Sequence, residues 1–177
     1  MNSNSTTRIL VIDDDEFSRD ILQNYLDGCG FCVSIVGNSD TALQHLQDSE
    51  HVDLILVDRM LSRIDGLDLV RKIRAEEKFH DLPIVIESAL AMPEQVLEGL
   101  EAGANYYLTK PYNLPLLCEA IKSVLVLKRK KNNCTEIDHS EIGCNCTTLD
   151  KTCPMERWST TTVGDDASIA SLTGRPP

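Results

Sequence analysis

The stretch that decides the fold is RILVIDDD at residues 8–15, an apolar run that ends in three aspartates. A run that is apolar at consecutive rather than alternate positions is typical of a strand buried on both faces of a parallel sheet. The stretch DLILVD at residues 53–58 repeats the pattern and also ends in an acid. Both stretches therefore predict central strands of an α/β sheet with carboxylates at their carboxyl ends.

Outward from these two strands, short apolar runs alternate with helical periodicity. Further strands are predicted at residues 32–36, 83–87 and 106–109. Among the helices, one is expected at 41–47 with Ser39 as its N-cap, and the last is expected to end at 128–131. Five strands alternating with five helices predict a doubly wound five-stranded parallel sheet with helices on both faces.

The chain of 177 residues is acidic, with a formal net charge of -11, 42% apolar residues and 25% charged residues. This composition allows a buried core. The charge argues against general nucleic-acid binding, which needs a cationic surface. The sequence shows neither a signal-peptide core nor an apolar run of membrane-spanning length, so a cytoplasmic location without membrane contact is expected.

After residue 131 the periodicity ends and Ser and Thr become frequent. We expect a folded domain at residues 7–128 and a mostly disordered polar tail, rich in Cys, Ser and Thr, at 129–177. The basic run at 128–131 is expected to complement the dipole of the last helix rather than to bind nucleic acid. The tail also contains residues of metal-ligand type, for which redox-active or idle thiols are the favoured interpretation and a zinc site the alternative. These residues are Cys134, His139, Cys144, Cys146 and Cys153.

Polar side chains collect at the carboxyl ends of the predicted strands, where open α/β sheets bind their ligands. They are Asp13, Asp14 and Asp15 after the first strand, Asp58 after the third, Glu87 and Ser88 after the fourth, and Thr109, Lys110 and Pro111 after the fifth. Close carboxylates repel one another unless a cation neutralises them, and Mg²⁺ is the usual hard cation in phosphate chemistry. A carboxylate beside such an ion can act as a nucleophile toward phosphorus. The pattern therefore favours phosphoryl chemistry at this edge of the sheet.

Four motifs carry a resemblance to a known family. They are ILVIDDD at 9–15, DRMLSRIDG at 58–66, Ser88-Ala89 and Lys110-Pro111-Tyr112. In order and spacing they resemble the receiver domains of bacterial two-component systems over roughly residues 7–128. The resemblance implies a flavodoxin-like sheet of order 2-1-3-4-5 and a phosphorylation-dependent signalling switch rather than an enzyme.

The resemblance also implies roles for individual residues, with Mg²⁺ as the cofactor. Asp58 is the implied phosphoacceptor, which receives its phosphoryl group from a histidine kinase or a histidine phosphotransfer protein. Mg²⁺ binding is implied for Asp13, Asp14, Asp58 and the backbone carbonyl of Met60. Lys110 is implied to pair with the aspartyl phosphate, and Ser88 and Tyr107 are the implied switch residues. Gly66 and Pro111 have implied structural roles in the loops.

Two residues depart from the family's pattern. Ser62 stands where the family usually has proline, so the loop after Asp58 is expected to be less rigid. Glu87 brings another acid near the site if its side chain faces that way. Met60 and Leu90 are further hypothesised to flank the acyl phosphate and impede the hydrolytic water, with simple packing as the alternative.

The main alternative function is a haloacid-dehalogenase-like, Mg²⁺-dependent phosphohydrolase with Asp13 as its nucleophile. The D-x-D pattern after an apolar strand suggests it, whereas Phe17 and the lack of a later acidic pair on a strand argue against it. For Tyr107 the alternative to a switch role is a plain core residue, with Tyr106 as the exposed tyrosine. Output is expected through protein docking at the fourth helix, fifth strand and fifth helix, to an unnamed target or as a phosphorylation-dependent homodimer.

Overall fold

A five-stranded sheet forms the centre of the computed structural model, which describes residues 6–48 and 51–135. The strands are β1 (Arg8–Ile12), β2 (Cys32–Val36), β3 (Leu54–Asp58), β4 (Ile84–Ser88) and β5 (Tyr106–Thr109). They lie in the order β2-β1-β3-β4-β5, and all neighbouring pairs are parallel. The predicted fold class and the sheet order 2-1-3-4-5 are confirmed.

Helices form the connections between the strands. They are α1 (Glu16–Gly28), α2 (Ser39–Asp48), α3 (Gly66–Ala75), α4 (Pro93–Glu101) and α5 (Leu114–Thr135), with a short 3-10 helix at Glu77–Phe79 between α3 and β4. The 3-10 turn was not predicted. It places Phe79, which is buried, against the end of α3.

Both faces of the sheet are covered, which explains the uninterrupted apolar runs. Because successive side chains of a strand point to opposite faces, Ile9 and Val11 of β1 pack with α1 and α5. Leu10 and Ile12 pack on the other face, with α2 and α3. Each such fully buried aliphatic side chain contributes roughly 1.5 to 3 kcal/mol of transfer free energy.

The register of the strands sets their carboxyl ends side by side. Ile12 at the end of β1 lies opposite Val57, one residue before the end of β3. Asp58 lies opposite Glu87, and Ser88 lies opposite Thr109. The polar residues that end or follow these strands therefore meet at one edge of the sheet.

Several element boundaries differ from the prediction by one or two residues. Ser39 is inside α2 rather than its cap, and Oδ1 of Asn38 accepts the backbone N–H of Thr41 at 2.9 Å. Asparagine is as good a cap as serine, so the helix begins earlier. Strand β4 begins at Ile84 rather than Pro83, because proline has no N–H for the ladder.

Helix α5 continues to Thr135, beyond the predicted end at 128–131, and it crosses the expected boundary between residues 128 and 129. Lysine, arginine and asparagine do not break a helix, and neither Gly nor Pro occurs between Leu116 and Thr135. The last turn reads NNCT and is without a basic residue. The prediction that the basic run at 128–131 complements the dipole at the end of the last helix is therefore wrong, because this run lies before the last turn.

The remainder of the predicted tail, 136–177, lies outside the described residues, and with it His139, Cys144, Cys146 and Cys153. Cys134 lies in the last turn of α5. Among the helices that the structure describes, none combines the length and the apolar character needed to cross a membrane.

Candidate functional site

A carboxylate–lysine pair lies at the carboxyl edge of the sheet. Asp58 is the last residue of β3 and Lys110 follows β5, and Nζ of Lys110 lies 2.5 Å from Oδ2 of Asp58. Oδ1 of Asp58 accepts the backbone N–H of Met60 at 2.6 Å. The Asp58 side chain keeps 13% of its surface exposed, so both oxygens are held while one side of the carboxylate stays accessible.

Asp13, directly after β1, is the buried acid of the site, with 1% of its surface exposed. Its Oδ1 accepts the backbone N–H of Asp15 at 2.8 Å. Its Oδ2 has no hydrogen-bond partner within 6–48 and 51–135, and it lies 3.8 Å from Nζ of Lys110. Burial raises the pKa of Asp13, because its effect exceeds the opposing effects of the Asp15 hydrogen bond and of Lys110.

Asp14 is directed elsewhere. Its Oδ2 accepts the backbone N–H of Ser62 at 2.8 Å, a contact across 48 residues of sequence. Proline, usual at this position in the resembled family, has no N–H to donate. The departure at Ser62 therefore creates a hydrogen bond that ties the β3–α3 loop to the β1–α1 loop.

Glu87 faces the site, as the sequence left open. It is fully buried on β4, and its Oε1 lies 3.1 Å from Nζ of Lys110. The hydroxyl of Tyr112 donates a short hydrogen bond to Oε2. Burial raises the pKa of Glu87, and Lys110 and Tyr112 oppose that shift. Burial and the Glu87 charge raise the pKa of Tyr112, which keeps the phenol protonated as a donor.

The two candidate switch residues meet at the β4–α4 loop. Oγ of Ser88, which is fully buried, accepts the backbone N–H of Leu90 at 3.1 Å. The hydroxyl of Tyr107 donates to the carbonyl of Leu90 at 2.9 Å, and the ring is buried. Tyr106 is buried as well, on the opposite face of the sheet. A methyl group at Gly99 would lie 2.5 Å from Cδ2 of Tyr107, so the glycine makes room for the inward ring.

The remaining predicted residues shape the loops around the pair. Gly66 donates its N–H to the carbonyl of Arg59 at 2.7 Å, and a Cβ there would lie 2.7 Å from Cα of Arg59, which leaves no space for a side chain. The peptide bond between Lys110 and Pro111 is cis. The side chain of Met60 is 58% exposed at the rim.

Arg59 links the phosphoacceptor candidate's strand to α4 and was missed by sequence reasoning. Its side chain is 8% exposed, and Nη2 lies 2.6 Å from Oε2 of Glu98. Nη1 donates to the carbonyl of Gln95 at 2.8 Å. A charged residue directly after a buried strand was the available signal, but its partner lies 39 residues away in sequence.

The site has an excess of negative charge that fits a divalent cation. Burial disfavours the ammonium of Lys110, but Glu87 and Asp58 outweigh that effect and raise its pKa. One ammonium therefore faces three carboxylates, and candidate ligand oxygens of Asp13, Asp58 and Glu87 lie within 4.8 Å of one another. In two of these groups one oxygen, Oδ2 of Asp13 and Oε1 of Glu87, is buried and makes no close hydrogen bond among the described residues. Buried charge without a partner is costly, so the donor set suits a hard cation with oxygen ligands.

Comparison with known proteins identifies the same fold and motifs elsewhere. The response regulator receiver domain family matches residues 9–122. The chain is 31% identical over 117 residues to the chemotaxis protein CheY of Pseudomonas aeruginosa, which covers 66% of this chain and 94% of that protein. It is 35% identical over 121 residues to the transcriptional regulatory protein BaeR of Escherichia coli, covering 68% of this chain and 49% of BaeR.

Solved structures agree with these relatives. The receiver domain protein (CheY-like) of Methanospirillum hungatei superimposes with a TM-score of 0.66 at 29% identity, over 72% of this chain and 99% of that one. The chemotaxis response regulator CheY4 of Vibrio cholerae gives a TM-score of 0.64 at 25% identity. The chain belongs to the response regulator receiver domain family of two-component signalling proteins.

Proposed function

We propose that this receiver domain is a phosphorylation-dependent switch whose phosphoacceptor is Asp58. The observation that carries the proposal is the 2.5 Å contact between Nζ of Lys110 and Oδ2 of Asp58, at an edge where Asp13 and Ser88 also converge. A partly exposed carboxylate beside a fixed ammonium has both the nucleophile and the charge compensation that phosphoryl transfer requires.

The phosphoryl donor is proposed to be the phosphohistidine of a histidine kinase or a histidine phosphotransfer protein. A carboxylate oxygen of Asp58 forms a bond to phosphorus, and the phosphorus–nitrogen bond breaks. The imidazole nitrogen keeps the electron pair and leaves, and the product is an aspartyl phosphate. Lys110 and the backbone N–H of Met60, which already hold Asp58, position the nucleophile and pair with developing negative charge.

Mg²⁺ is the proposed cofactor, held by Asp13, Asp14, Asp58 and the backbone carbonyl of Met60. The unpartnered oxygen of Asp13 supports a cation at this edge. When bound, the ion neutralises the phosphoryl oxygens.

The aspartyl phosphate carries about 1.5 to 2 negative charges beside Lys110 in place of the single charge of the carboxylate, and it shifts an existing equilibrium between two conformations. Ser88 and Tyr107 are the proposed switch residues, since both contact the backbone of Leu90 at the start of the loop to α4. The output is proposed to be protein docking on the surface of α4, β5 and α5, where Met92 and Leu97 are exposed. The switch is proposed to occupy residues 7–128 of a cytoplasmic protein, with 129–177 as an appended segment.

The test is phosphorylation by a small phosphodonor. The full chain is incubated with acetyl phosphate and Mg²⁺ and its intact mass is measured. We expect a gain of one phosphoryl group, lost in Asp58→Asn and kept in Asp15→Asn, a matched removal of a neighbouring carboxylate that caps α1. A phosphoryl group that persists in Asp58→Asn would contradict the proposal.

A further inference from the structure

Glu87 is an ionisable residue at a strand position that is shielded from solvent. It is 0% exposed, and the residues before it on β4 are buried and apolar. An ionised carboxylate in such a place is costly unless each oxygen has a partner. The partners of Glu87 therefore indicate what this residue is for.

Its two oxygens have different partners. Oε2 accepts the hydroxyl of Tyr112, which follows the cis peptide after Lys110. Oε1 has no hydrogen-bond partner in the described part of the chain, and its nearest cation is Nζ of Lys110 at 3.1 Å. That same ammonium lies closer to Asp58, at 2.5 Å, so it is shared.

A carboxylate oxygen of Glu87 also lies within 4.8 Å of carboxylate oxygens of Asp13 and Asp58. Oδ2 of Asp13 is likewise buried and without a hydrogen-bond partner among these residues. If all three groups are ionised, they exceed the Lys110 charge by two, which is the charge of Mg²⁺ or Mn²⁺. The burial of these carboxylates, with Oδ2 of Asp13 lacking a hydrogen-bond partner among the described residues, distinguishes this cluster from a merely acidic surface.

We propose that Glu87 is a third direct carboxylate ligand of the divalent cation, alongside Asp13 and Asp58, and that Tyr112 is the positioning residue that directs its free oxygen toward the ion. The inference rests on the proposed function, because it adds a ligand to the same cation site. Asp14 has one of its two oxygens, Oδ2, engaged by the backbone of Ser62, so Glu87 adds a carboxylate to the ligands already proposed.

The role of Tyr112 follows from the hydrogen bond that its hydroxyl donates to Glu87. The phenol is neutral and occupies Oε2, so Oε1, which lies 3.1 Å from the Lys110 ammonium, is the oxygen of Glu87 that faces cationic groups. Removal of the hydroxyl in Tyr112→Phe keeps the ring and frees the carboxylate to rotate. Removal of a residue that hydrogen bonds to a metal ligand typically lowers the metal affinity by about tenfold or more.

The test is a calorimetric titration of Mn²⁺ into the full chain. Relative to wild type, Glu87→Gln is expected to weaken Mn²⁺ binding by about tenfold or more and Tyr112→Phe by a smaller factor. Glu94→Gln, which removes an exposed carboxylate on α4, is the matched control and is expected to leave the affinity unchanged. Circular dichroism verifies that each variant is folded.

Water proton relaxation of the Mn²⁺ complexes gives a second readout. A lost carboxylate ligand leaves a position for water, so Glu87→Gln should relax water protons more strongly than wild type. Wild-type affinity and relaxation in Glu87→Gln would overturn the inference while leaving Asp58 phosphorylation intact. Failure of the wild type to bind Mn²⁺ would overturn both proposals. If Glu87→Gln does not fold, unchanged affinity in Tyr112→Phe is the contradicting result.

Discussion

The backbone N–H of Ser62 donates a 2.8 Å hydrogen bond to Oδ2 of Asp14, which joins the loop after β3 to the loop after β1. The family to which the chain belongs usually has proline at this position, and proline has no N–H. The serine therefore exchanges the rigidity of a proline ring for a contact to a carboxylate. The effect of this replacement on stability can be measured directly.

Ser62→Pro is expected to lower the free energy of unfolding by about 1 kcal/mol relative to Ser62→Ala. The alanine variant keeps the N–H, whereas proline deletes a hydrogen bond to a charged group and recovers part of the loss by restricting the unfolded chain. Urea denaturation of both variants gives the difference. A proline variant as stable as the alanine variant would show that the Asp14 contact does not stabilise the fold.

Gly99 and Tyr107 are expected to be energetically coupled. In Gly99→Ala the new methyl group meets Cδ2 and Cε2 of Tyr107 at 2.5 and 2.7 Å, so the ring must move and its hydrogen bond to Leu90 is strained. We expect a loss of about 1 to 3 kcal/mol in the free energy of unfolding. In a Tyr107→Ala background the same substitution should be neutral or stabilise by up to about 1 kcal/mol, as alanine favours a helix. Equal effects in both backgrounds would refute the coupling.

The ion pair between Arg59 and Glu98 is expected to hold α4 against the end of β3. Glu98 is about half exposed, so solvent screens the pair and Glu98→Gln should cost only about 0.5 to 1 kcal/mol. Hydrogen exchange of the α4 amides should accelerate in Glu98→Gln and stay unchanged in Glu101→Gln, which removes an exposed carboxylate at the end of the same helix. Equal exchange in the two variants would argue that the pair is incidental.

The buried carboxylate of Glu87 is expected to make the stability of the metal-free protein depend on pH. Burial raises its pKa in the folded state, so its contribution to stability is present below its ordinary pKa and is lost as the pH rises through the raised value. Glu87→Gln does not titrate, so the stability of this variant relative to wild type should rise as the pH increases above the ordinary glutamate pKa of about 4.3. Urea denaturation in the presence of a chelator, with Glu94→Gln as reference, provides the measurement. A difference that stays constant with pH would contradict the buried-carboxylate account.

The strands and the phosphoryl edge were predictable because both follow from local rules. Apolar runs at consecutive positions indicate strands buried on two faces, and parallel strands place their carboxyl ends at one edge. Asp13, Asp58 and Lys110 could therefore be grouped without knowing any distance. The end of α5 was not predictable in this way, because the basic and polar residues from 128 to 135 are compatible with a helix and include none that ends one.

The parts of the site that escaped prediction depend on contacts distant in sequence. The turn of Asp14 toward Ser62 depends on the path of a loop 48 residues away. Glu87 lies two residues after Val85, so strand alternation places it on the face of the sheet covered by α1 and α5, and that signal was available. Its pairing with Tyr112 required the course of the loop after β5.

Borohydride trapping tests most directly whether Asp58 is the phosphoacceptor. The full chain is phosphorylated with acetyl phosphate and Mg²⁺, treated with borohydride to reduce the acyl phosphate to an alcohol, and analysed by peptide mass spectrometry. We predict homoserine at position 58 and unmodified aspartate at position 13. Homoserine at position 13, with Asp58 unmodified, would contradict the account and favour a phosphohydrolase that uses Asp13 as its nucleophile.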